Sequence, residues 1–223
     1  MTPAEPLSQR TRRILGGIIL LLALLLLAGG WMIPFKFPSF SIMYKFGLER
    51  TYLRSGKVIG ITVALLVFFQ IVLASRFVLL ERVYSLKRLL SLHRVTGLAL
   101  GGLAVLHPLL IKASENFTPY IFEKKYYPEF IGIGVLTLLL FLVSTALLRN
   151  RIGLSYQKWL LLHRSIATLL LCLLPAHVLF VSETFKIGLP RKAAMVLFTL
   201  NLILILRIWL RRIPPTAKVH PGS

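Results

Sequence analysis

The chain has 223 residues, 57% of them hydrophobic and only 15% charged, with a mean hydropathy of +0.79. Lys and Arg number 27 against seven acids, all Glu, which gives a formal net charge of +20. The long apolar runs exclude a soluble globular domain. The bases cluster between those runs, which speaks for membrane topology rather than for nucleic-acid binding.

A membrane span takes about 20 apolar residues. Six segments of that kind are predicted, at roughly 14–33, 58–79, 94–113, 130–149, 159–181 and 193–210. The first follows Arg10, Arg12 and Arg13, as in a signal peptide. Its apolar run is longer than a typical h-region and no A-x-A site follows, so it is read as a retained helix. Residues 34–57 are predicted as a loop rich in Phe and Tyr, and so are residues 115–130, ENFTPYIFEKKYYPEF. Aromatics beside spans form interfacial belts. The single Cys172 falls inside the fifth run, where a small buried side chain is expected and no internal disulfide is possible.

The fold class is therefore an all-α membrane protein, a six-transmembrane-helix bundle. Residues 1–13 are expected as a cytoplasmic N-terminal segment, 14–212 as the bundle and 213–223 as a cytoplasmic tail. Orientation follows the positive-inside rule. With both termini cytoplasmic, sixteen of the 27 bases fall on the inner side. Five of the seven acids, Glu49, Glu115, Glu123, Glu129 and Glu183, fall outside.

Four of the five histidines sit at matched positions in two of these runs. The third span reads HRVTGLALGGLAVLH from His93 to His107, and the fifth reads HRSIATLLLCLLPAH from His163 to His177. Fourteen residues of helix rise about 21 Å and come within about 40° of four full turns, so each pair shares one face. The two spans cross in the same direction. Side by side, they bring His93 to His163 near the cytoplasm and His107 to His177 near the outside. Each gap suits a flat ligand held from above and below, and haem iron accepts axial His. Two haems between helices 3 and 5 would form a wire across the bilayer.

On the third span the histidine face carries Gly97, Leu100, Gly101 and Ala104; on the fifth it carries Ala167, Leu170 and Leu174. Small residues there leave room for a macrocycle, although Gly97 and Gly101 also form a G-x-x-x-G packing motif. Arg94 and Arg164 stand at the cytoplasmic end, as partners for haem propionates or as positive-inside anchors. His220, in the tail VHPGS, reads as solvated.

These residues carry a resemblance. From about Gly56 to Arg212 the chain resembles the ferric reductase-like transmembrane domain, the haem domain shared by ferric reductases and NADPH oxidases. The motifs that carry it are RFVLLERVYSLKRLLSLHRVTGLALGGLAVLHPLL and GLSYQKWLLLHR, followed by His177 as the last of the residues that carry it. It implies two b-type haems with His93, His107, His163 and His177 as iron ligands. Many relatives continue into a flavin- and NAD(P)H-binding module, which is expected to be missing here. The resemblance thus implies an oxidoreductase component in the bacterial inner membrane. Its partners would be the lipid bilayer, a flavoprotein reductase or quinol as electron donor, and an outer acceptor, with no nucleic acid. FAD or FMN would enter through a partner or at the membrane surface. One alternative within the fold is a haem subunit feeding a periplasmic methionine sulfoxide reductase; a second is a quinol-oxidising cytochrome b of the respiratory type, whose matched histidine pairs normally fall on the second and fourth helices of a longer protein. A haem-free transporter or assembly protein is the alternative from another class.

Overall fold

A computed structural model describes residues 7–210. The described chain is helical throughout, with eight α-helices in the order α1 (Gln9–Lys36), α2 (Phe40–Met43), α3 (Gly47–Ala74), α4 (Val78–Tyr84), α5 (Leu86–Ala113), α6 (Tyr127–Leu148), α7 (Tyr156–Val181) and α8 (Gly188–Leu210). Six of them, α1, α3, α5, α6, α7 and α8, are long and apolar enough to cross a membrane. This matches the six predicted spans and makes the chain an integral membrane protein. Six crossings bring Gln9 and Leu210 to the same side.

The second span differs most from expectation. Residues 47–57 were predicted as loop, but α3 begins at Gly47. The reason is that hydropathy stops at charge whereas helix propensity does not. GLERTYLRSGK supplies good helix formers, and Thr51 Oγ1–H donates to the Gly47 carbonyl at 3.2 Å. Gly47 itself takes φ +54°, a turn conformation open to glycine. At the other end α3 stops at Ala74, before the predicted residue 79. Ser75 Oγ–H donates to the Val72 carbonyl at 2.7 Å, and Arg76 turns the chain at φ +52°. Residues 78–84 then form the separate helix α4. It packs on α1, where Tyr84 Oη–H donates to the Gly16 carbonyl at 2.6 Å.

The bundle is built from two helix hairpins. α3 packs along α5 and α6 packs along α7, while α1 covers α3 and α8 covers α7 and part of α3. Indole N–H groups pin the covering helices: Trp31 donates to Thr62 Oγ1 at 2.9 Å and Trp209 to Thr168 Oγ1 at 3.2 Å. The two hairpins meet in one apolar cluster of Val67, Leu100, Ala104, Val135, Leu139, Leu142, Leu170 and Leu174. Outside it, Leu20, Leu21, Leu22, Leu24 and Leu25 of α1 are exposed, the expected pattern for a helix facing lipid. Cys172 is also exposed, on the outer surface of α7, and not buried as its place in an apolar run led us to expect. In a bilayer the outer surface is as apolar as the core, so composition does not separate the two. Arg211, Arg212, Lys218, His220 and the tail 213–223 lie outside the described residues, as do residues 1–6.

Candidate functional site

α5 carries His93 and His107, and α7 carries His163 and His177. The structure places them in two layers. His107 and His177 face each other with ring centroids 6.4 Å apart and ring planes at 79°. His163 lies within electrostatic range of His93 at the opposite end. Between the layers sit Leu100 and Ala104 of α5 with Leu170 and Leu174 of α7, all buried. α5 and α7 each make their extensive backbone contacts with their own hairpin partners, not with each other.

A buried imidazole in a membrane must satisfy its N–H. His107 Nδ1–H donates to the Gly56 carbonyl of α3 at 2.8 Å, and His177 Nδ1–H donates to the Pro128 carbonyl of α6 at 2.8 Å. A carbonyl only accepts, so Nδ1 carries the proton in both rings. That leaves each Nε2 with its lone pair free, the tautomer a metal-binding imidazole needs. His93 Nδ1–H makes a longer bond, 3.2 Å, to the Gln70 carbonyl. Gln70 Nε2–H in turn donates to Thr96 Oγ1 at 2.7 Å, while its Oε1 is buried without a partner. His163 is the exception: its Nδ1 is buried and has no hydrogen-bond partner. Its ring lies 5.1 Å from that of Trp159, whose indole N–H is likewise buried and unpartnered.

The His107 and His177 rings fit because α3 and α6 have no side chain where the imidazoles lie. A Cβ on Gly60 would come within 2.6 Å of His107 Cε1. A Cβ on Gly132 would run into the His177 ring, with Nδ1 at 2.6 Å. Sequence reading passed over both glycines. Gly56-x-x-x-Gly60 was a visible small-residue motif at the start of the second span, but it lay across a boundary drawn at residue 58.

Gly97 and Gly101 turn out to face helices. A Cβ on Gly97 would meet the Gln70 side chain of α3 at 3.7 Å, and one on Gly101 would meet Val143 of α6 at 3.4 Å. Of the two arginines, Arg94 is exposed and Arg164 half-buried. Among the described residues no three His, Cys, Asp or Glu side chains come together as a metal cage. The site consists of imidazole pairs.

Six helices long and apolar enough to cross a membrane, with one facing imidazole pair and a second pair within electrostatic range, define an integral membrane protein with a histidine-bearing interior. The family model for the ferric reductase-like transmembrane component matches residues 59–182, a stretch that contains all four histidines, and the chain belongs to that family. Its general function is accordingly electron transfer across a membrane. None of the curated proteins and none of the solved structures matches the chain.

Proposed function

We propose that the chain holds two b-type haems, one between His93 and His163 and one between His107 and His177, and conducts electrons across the bilayer through them. The observation that carries this reading is the His107–His177 geometry. A metal–imidazole bond of about 2.0–2.1 Å on each side, with the nitrogen about 1.1 Å from its ring centre, puts two trans imidazoles about 6.3 Å apart. The two ring centroids lie 6.4 Å apart. Both rings hold the proton on Nδ1 and keep Nε2 free. Two protein ligands suffice for a metal whose other four nitrogens come from a macrocycle, so the lack of a cage of three or more side chains is consistent with the donor set.

His93, His107, His163 and His177 would hold the haem irons, and bound haem would supply a reversible one-electron couple. The chain's own part is to orient four imidazoles and to keep water out. The Leu100, Ala104, Leu170 and Leu174 layer separates the two pairs and excludes solvent between them. Half-buried Arg164, next in sequence to His163, is better placed than exposed Arg94 to pair with a propionate.

In this reading the His93–His163 pair lies toward the cytoplasm of a bacterial inner membrane, with both termini on that side. The chain is the membrane subunit of an oxidoreductase. A cytoplasmic flavoprotein, bringing FAD or FMN, or alternatively quinol, donates electrons, and an acceptor waits on the outer side. Reduced-minus-oxidised spectra and a haem assay on the purified protein should give about two b-type haems per chain, as two ligand pairs imply. A folded protein expressed with haem available yet lacking it would refute the proposal and favour a haem-free transporter.

A further inference from the structure

The two histidines nearest each other are held by matching devices on different helices. On α3, Gly56 offers its carbonyl to His107 and Gly60, one turn later, lies under the ring. On α6, Pro128 offers its carbonyl to His177 and Gly132, one turn later, lies under that ring. Each imidazole therefore lies against the backbone of its hairpin partner with Cε1 nearest, tethered at Nδ1 one turn before the bare Cα.

We infer that Gly60 and Gly132 are positioning residues that aim Nε2 of His107 and His177 into the space between α5 and α7. The inference rests on the bis-histidine reading above. It follows from what each ring can do when a methyl group arrives. A Cβ on Gly30 would also meet a close neighbour, Leu65 Cδ1 at 2.8 Å, but that is the tip of a flexible side chain and can swing away. An imidazole tethered at Nδ1 cannot swing without breaking its hydrogen bond. If it stays tethered it must tilt, and Nε2 moves off its axis. A methyl at position 60 or 132 thus exchanges a fixed ligand for a loose or misdirected one. Removing such support from a metal ligand typically costs about 10–100-fold in affinity.

The test compares four alanine variants of the full chain. Gly60→Ala and Gly132→Ala should lower affinity for the His107/His177 haem about 10–100-fold, read as faster haem loss to an apoprotein acceptor. The low-spin ferric resonance and midpoint potential of that haem should shift, while those of the His93/His163 haem stay in place. Gly102→Ala and Gly134→Ala are the controls, since a Cβ at either position has nothing within 4 Å. They should leave both haems unchanged. Two unaltered haems in Gly60→Ala and Gly132→Ala would overturn the inference and leave the bis-histidine reading intact; a wild type without haem would instead remove that reading.

Should Gly60→Ala fail to fold, the same substitution in a His107→Ala background decides the matter. With the ring gone the methyl fits, so the double variant should fold as well as His107→Ala alone and keep the other haem. A double variant that still fails to fold would mean that the glycine does not act through His107, and the inference falls.

Discussion

Replacing the histidines one at a time tests the pairing most directly. His93 and His107 are separated by fourteen residues of α5, about 21 Å of rise, and the same spacing holds for His163 and His177 on α7. Trans ligands of one iron stand about 6.3 Å apart between ring centres. The separation along each helix exceeds that by about 15 Å, so no iron can join the two layers. Each substitution should therefore remove one haem of two. His107→Ala and His177→Ala should leave one and the same residual spectrum, and His93→Ala and His163→Ala the other. The fold should survive. The Gly56 and Pro128 carbonyls stand within helices and keep their backbone donors one turn on, so the lost hydrogen bond costs only about 0.5–1.5 kcal/mol. The assay is haem quantification with redox difference spectra on each purified variant, alongside size-exclusion profiles. Haem content should fall from about two to about one per chain. If His93→Ala and His177→Ala removed the same haem, or if one substitution emptied both sites of a folded protein, the two-layer geometry would be wrong.

The remaining predictions concern topology, the donor and pH. Cysteine labelling should place residues 149–155 on the same side as Gln9, facing the cytoplasm, and residues 115–123 on the other; labelling of both loops from one side would break the six-span order. The described residues contain no strand and no dinucleotide-binding fold, so NADPH alone should leave the haems of this chain oxidised while dithionite reduces them. Rapid reduction by NADPH without a second protein would reveal a missed cofactor site. Tyr120, in the loop between α5 and α6, has its phenol pushed up to about 12 by burial first, then by Glu115, Glu129 and Tyr126. The folded state therefore keeps a proton that the unfolded chain releases near its ordinary value of about 10. Below that pH the group has no effect, and stability should decline as pH rises from about 10 to about 12. Ultraviolet titration should find one tyrosine ionising late, and Tyr120→Phe should abolish that late phase.

Much of the bundle was legible because its determinants are repeated. Six apolar runs gave six spans, and spacing alone put His93 with His107 and His163 with His177 on single helix faces. The same spacing identified Leu100, Ala104, Leu170 and Leu174 as the face between the layers, which is where the buried cluster lies. What escaped were contacts made by atoms that no side chain announces. The Gly56 and Pro128 carbonyls look like any other carbonyl in sequence, and Gly60 and Gly132 matter through the Cβ they lack. Gly97 and Gly101 were legible as small residues. Which neighbour they admit depended on how α5 is rotated against α3 and α6.

The same contacts explain why α3 and α6 flank the two histidine-bearing helices. A histidine on α5 projects away from the axis of its own helix, whose carbonyls point along that axis. It must borrow a carbonyl from a neighbour. α3 lends Gly56 and Gln70 to α5, and α6 lends Pro128 to α7. The helices that lend the carbonyls and the helices that carry the histidines are thus the two partners of each hairpin. His163 alone lacks such a loan, and its neighbour Trp159 has an unpartnered N–H as well. Both rings of the His107–His177 layer are therefore tethered by backbone carbonyls, while around His93 and His163 three buried polar atoms, His163 Nδ1, Trp159 Nε1 and Gln70 Oε1, have no partner. An unsatisfied buried polar group costs about 1–3 kcal/mol, so the His93–His163 end is the less completely stabilised of the two layers.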